Sequence, residues 1–123
     1  MRGIVTAKPL LSRAEQQLYG RLVRAFPGHV ILAHAAVTRA LVADFVVCLP
    51  DFTAIAVVEL DEDAKPTDAQ LEKNRRKAEA LQAAGIKVIR VSAADIPNEL
   101  ALKALVAALP LRSCAADLMR RAS

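Results

Sequence analysis

The chain has 123 residues, 54% of them hydrophobic and 24% charged, a balance that suits one compact domain and excludes a disordered tail or a multi-domain enzyme. Aromatic residues make up only 3% and tryptophan is absent, which argues against a surface of stacking rings for single-stranded nucleic acid. The formal charge of +4 permits an anionic partner without requiring one, and half of that excess falls in 110–123, where Arg112, Arg120 and Arg121 are offset only by Asp117.

Apolar runs such as Leu41–Pro50 are too short to span a bilayer, and the first residues lack an apolar stretch followed by a cleavage site. A cytoplasmic protein with no membrane partner is expected. Cys48 and Cys114 lie far apart with no metal-type spacing, so neither a disulfide framework nor a zinc site is indicated.

Along the chain, Leu11, Ala14, Leu18, Leu22 and Phe26 recur every three or four residues, one apolar stripe on a helix over Ser12–Phe26. Ser12 with Glu15 is a capping-box pair, and Pro27-Gly28 stops the helix. Apolar, β-branched runs at Val30–Ala36, Leu41–Leu49 and Ala54–Asp61 predict three strands. The second and third are apolar on both faces, as in central strands covered by helices on each side. Thr67–Ala84 reads as a long helix, opened by Thr67 with Gln70, striped by Leu71, Ala78 and Leu81, and closed by Gly85. Ile86–Val91 is a fourth strand, parallel to the third through a crossover. Pro97–Leu109 is a closing helix ended by Pro110. The predicted order is α-β-β-β-α-β-α in a domain over 1–109. A tail over 110–123 follows, with a short amphipathic helix possible on Leu118 and Met119.

Chemistry enters through the turn Pro50-Asp51-Phe52-Thr53. A hairpin centred between Asp51 and Phe52 pairs Leu49 with Ala54 and, stepping outward, Asp44 with Glu59. Directly opposed residues share a face with Cβ atoms roughly 4.5–5.5 Å apart. Asp61 lies two residues beyond Glu59, on the same face about 6.6 Å along the strand. Three carboxylates would then converge among Val42, Val46, Val57 and Ile55, where ionisation is costly. A hard dication, Mg²⁺ or Mn²⁺, would relieve that cost, since magnesium is held by one or two carboxylates plus water and phosphate. The plainer alternative is that Glu59-Leu60-Asp61-Glu62-Asp63 is a solvated acidic strand end. Glu15 likewise has two readings, a helix cap or a reach toward the ion.

In this order, the helix with Glu15, Asp44 on the second strand, Glu59-Leu60-Asp61 on the third, the basic helix and Gly85-Ile86-Lys87-Val88-Ile89-Arg90-Val91 resemble the PD-(D/E)XK nuclease superfamily. The sequence is more narrowly similar to small bacterial domains related to very short patch repair endonucleases. The likeness runs from about Leu11 to Val91. It implies a restriction-endonuclease-like αβββαβ core, a mixed central sheet flanked by helices, with an extra C-terminal helix. It also implies that Asp44, Glu59 and the backbone carbonyl of Leu60 ligate magnesium, that Glu15 holds a metal-bound water, and that DNA is the substrate. Asp61 stands where the superfamily's lysine activates the attacking water, and an aspartate supplies no positive charge. Lys65, a few residues later, and Lys77 on the following helix are the candidates to replace it.

Lys73, Arg75, Arg76 and Lys77 would grip phosphates, or form a solvated helix face balanced by Asp68, Glu72 and Glu79. His29 and His34 have no partner at metal-ligand spacing and read as structural. Three functions are weighed: a metal-dependent nuclease cutting DNA, a catalytically inactive nuclease-fold module that binds nucleic acid or protein, and an interaction domain that never meets nucleic acid. So short a domain leaves little room for a target-recognition region, so a homodimer or a larger assembly would supply specificity.

Overall fold

Each helix starts where a side chain can take up a free backbone N–H. In the computed structural model, which describes residues 10–39, 41–62 and 65–108, α1 (Arg13–Ala25) begins after Ser12, whose hydroxyl accepts from the Glu15 amide while the Glu15 carboxylate accepts from the Ser12 amide. The second helix, α2 (Asp68–Ala83), repeats this reciprocal box with Thr67 and Gln70. Gly85, at φ +82°, closes α2 through bonds from its own amide to Gln82 and from Ile86 to Leu81. That is the two-bond helix end that a left-handed glycine allows. The last helix, α3 (Glu99–Ala108), is capped by Asn98, whose side chain accepts from the Ala101 amide.

Between the helices run β1 (Val30–Ala36), β2 (Val42–Cys48), β3 (Ala54–Asp61) and β4 (Lys87–Ser92). They form one sheet in the order β1-β2-β3-β4, antiparallel except for the parallel β3–β4 pair. The described fold is therefore α/β, with a four-stranded mixed open sheet and three helices, in the predicted element order. The β2–β3 turn differs from expectation. Cys48, not Leu49, pairs with Ala54, after a register shift between Val47 and Cys48. Phe52 takes a left-handed φ of +69°, its amide bonds Leu49 O, and Leu49 N–H bonds Thr53 O, so the turn closes on Leu49 and Thr53 and a bulge at Ile55 in β3 takes up the remaining residue.

Alternation along the strands divides the core. Leu18 and Leu22 of α1 and Leu102 and Val106 of α3 pack with Phe45, Val47, Ala56 and Val58. Leu81 of α2 packs on the other face with Val46, Cys48 and Val57. The expected α2 stripe needs correction, because Leu71 is 52% exposed and Leu81 is the buried residue of that helix. Gln70 and Asn74, in the N-terminal half of α2, line a space shared with Asp61 and Arg90 at the strand ends. No described helix is long and apolar enough to cross a membrane. The expected tail helix and Cys114 lie outside the described residues, and Cys48 is a buried free thiol.

Candidate functional site

Strand register gathers one polar residue from every strand. Ala33 pairs with Phe45 and Ala35 with Ala43, so His34 and Asp44 fall on one step. Phe45 pairs with Val58, so the next step outward holds Asp44 and Glu59, as the hairpin arithmetic predicts. Glu59 in turn pairs with Arg90 across the parallel edge. His34, Asp44, Glu59 and Arg90 thus form a row across the sheet.

At the Asp44–Glu59 step the backbone ladder stops and the carboxylates replace it. The Asp44 amide donates to Glu59 Oε2 at 2.8 Å, and the Leu60 amide donates to Asp44 Oδ2 at 2.8 Å. Each acid takes up an amide on the neighbouring strand. Burial pushes the Asp44 carboxyl above the ordinary aspartate range; the Leu60 amide opposes this shift and the charge of Glu59 adds to it. Glu59 is the one buried charged residue among those described. Its counterion comes from α2: Lys77 Nζ donates to Glu59 Oε1 at 2.5 Å and to the Val42 carbonyl at 2.7 Å.

Glu15 caps α1, as one of its two readings has it, and its second oxygen goes to His34. One oxygen caps α1 through the Ser12 amide, and the other meets His34 Nε2 at 2.8 Å. Burial raises the Glu15 carboxyl, but the His34 and Ser12 hydrogen bonds outweigh it and leave the pKa lowered. The same bond from Glu15 raises that of His34, with a contribution from the charge of Asp44. His34 also has φ +51°, which is uncommon for a residue with a side chain.

Other predicted residues go elsewhere. Asp61 does not join Asp44 and Glu59, because Arg90 draws it off: Nε of Arg90 donates to Oδ2 at 3.0 Å and a second guanidinium nitrogen binds Oδ1. Among the described residues no group of three or more His, Cys, Asp or Glu could hold a metal ion. Lys65 is exposed, with no hydrogen bond to the described residues, so of the two candidate lysines it is Lys77 that reaches the carboxylates. Arg75 bonds Glu72 and Glu79, and Arg76 bonds Glu72. Lys73 is exposed. These three form the solvated, mostly ion-paired helix face of the plainer reading. His34 and Arg90 are the residues that sequence reasoning missed.

Residues 33–109 match the family model described as a protein of unknown function, DUF2726. The chain belongs to the DUF2726 family. The matched span of this DUF2726 chain takes in His34, Asp44, Glu59, Asp61, Lys77 and Arg90 and leaves Glu15 outside. No curated protein and no solved structure matches the chain.

Asp44 and Glu59 offer only oxygen, and Asp44 Oδ1 has no hydrogen-bond partner among the described residues. Two carboxylates suffice for magnesium, which keeps several waters.

Proposed function

We propose that this chain is a metal-dependent nuclease-like domain that hydrolyses DNA phosphodiester bonds on a restriction-endonuclease-like core. The observation that supports it is the Asp44–Glu59 step, where two carboxylates and the Lys77 ammonium meet at the point where β2 and β3 stop sharing backbone bonds. Asp44, Glu59 and the carbonyl of Leu60 would hold Mg²⁺ or Mn²⁺, which supplies an activated water and stabilises charge on phosphorus. Lys77 carries the positive charge that Asp61 cannot, and a lysine beside the reacting phosphate orients water and balances developing negative charge. Glu15, held by Ser12 and His34, would hold a water bound to that metal.

A second reading, an inactive module that binds nucleic acid or protein, is favoured by the saturation of both Glu59 oxygens by Lys77 and the Asp44 amide. Plasmid and short duplexes incubated with Mg²⁺ or Mn²⁺ separate the two. Cleavage that needs the metal and falls by about a hundredfold or more in Asp44→Asn and in Lys77→Ala is expected. No cleavage with either metal, or cleavage indifferent to Asp44→Asn, overturns the enzymatic reading.

A further inference from the structure

Beside the carboxylates, at the C-terminal ends of the parallel strands β3 and β4, lies a cavity of about 520 Å³. This is within the range of small-molecule sites, roughly 300–1,000 Å³. Ends of parallel strands are where open α/β sheets take their ligands. Leu60, Asp61, Arg90 and Ser92 line it from the sheet, and Gln70 and Asn74 from α2. It adjoins the catalytic row directly, since Leu60 bonds Asp44 and Arg90 pairs with Glu59.

The lining chemistry selects against phosphate. Arg90 is neutralised by Asp61, and Glu62 adds a negative charge with no ion pair among the described residues. What remains is hydrogen-bonding capacity and a flat cation. The Asn74 amide has no hydrogen-bond partner among the described residues, so both its donor and its acceptor are available. Gln70 uses its oxygen on the Thr67 amide and keeps its NH₂ group. Asn74 lies four residues from Gln70, so both amides sit on one helix face. Arg90 is anchored along one edge by two bonds to Asp61, which leaves the faces of its guanidinium plane for stacking. Pro66 supplies an apolar ring on the cavity wall.

We propose that this cavity is a subsite for a single unstacked nucleobase, stacked on Arg90 and read at its edge by Asn74, with adenine as the preferred base. An asparagine amide pairs in two-point fashion with adenine N6 and N7, and guanidinium planes are platforms for splayed bases. The proposal deepens the nuclease reading and rests on it for the nature of the ligand. It also explains how a chain so poor in aromatics holds a base.

The test uses the full chain without metal. Deoxyadenosine, deoxyguanosine, deoxycytidine and thymidine are titrated in turn while NMR follows the side-chain amides of Asn74 and Gln70 and Nε of Arg90. Saturable shifts with deoxyadenosine, about tenfold weaker binding of the pyrimidines, and about tenfold loss in Asn74→Ala are expected. Asn74 is a partly exposed helix position where alanine is well tolerated, so that variant folds. No saturable shift with any nucleoside, equal affinity for all four, or unchanged affinity in Asn74→Ala overturns the proposal. With no metal and no phosphodiester present, its failure leaves the cleavage reading standing, so failure of the subsite and failure of cleavage are told apart.

Discussion

His34 is held at φ +51° while its ring is drawn to Glu15 on α1 and feels Asp44 on β2. A left-handed conformation costs a residue with a side chain of order 1 kcal/mol or more, and persists only where its surroundings enforce it. The Glu15 bond raises the His34 pKa above its ordinary 6.5. A raised histidine gives stability that is complete below the unfolded value and lost as pH climbs through the folded one. Glu15 is lowered from its ordinary 4.5, so its share is complete above that value and lost as pH falls through the folded one. The pair therefore stabilises most between about pH 4.5 and 6.5. The Tm advantage of the natural chain over His34→Gln should peak there and shrink by about pH 8, and be small because the ring is 46% exposed. An advantage unchanged across that range would dismiss the pair as a stabilising contact. His34 could be placed opposite Asp44 from the sequence only with the β1–β2 turn centred on Arg39, as the observed pairs Ala33–Phe45 and Ala35–Ala43 require. Arg90 could not. A parallel register is set by a helical crossover, and no turn centre fixes it.

At the scale of elements, α2 decides the site. It is attached by one fully buried side chain, Leu81, and by Lys77, whose side chain is 16% exposed against 7% for Glu59. An ion pair so buried is costly to break on one side, about 3–5 kcal/mol, because the remaining charge stays unpaired. Lys77→Met should lose stability of that order in urea unfolding. Adding Glu59→Gln should restore most of it, since the glutamine oxygen still accepts from the Asp44 amide. A loss below about 1 kcal/mol, or no restoration in the double variant, would show that the pair is solvated. The caps and limits of α2 were legible in Thr67, Gln70 and Gly85, because capping is local. The apolar stripe was misjudged through Leu71, and the target of Lys77 was hidden. Both depend on which face the crossover lays against the sheet, a tertiary choice that the mixed pattern of this helix does not encode.

Across the whole molecule the two core layers are unequal. Among the described residues the layer beneath α1 and α3 clusters fourteen buried residues, and the layer beneath α2 clusters six. Deleting a buried leucine costs about 2–5 kcal/mol, so a helix that contributes one is far more loosely bound than a pair of helices contributing Leu18, Leu22, Leu102 and Val106. Local openings follow this distribution of buried contacts. The sheet has β2 and β3 at its centre, covered on both sides, and α2 is the layer that can lift without dissolving the rest. Because Gln70, Asn74 and Lys77 ride on it, its opening exposes Glu59 and the neighbouring cavity together. Native-state hydrogen exchange should therefore rank the amides of Leu71–Leu81 well below those of Phe45–Val47 and Val57–Val58 in protection. Lys77→Met should lower protection in α2 while leaving the α1–α3 layer unchanged. Equal protection in all layers would mean that the molecule opens as one unit, and α2 would then have no independent motion through which to admit a substrate.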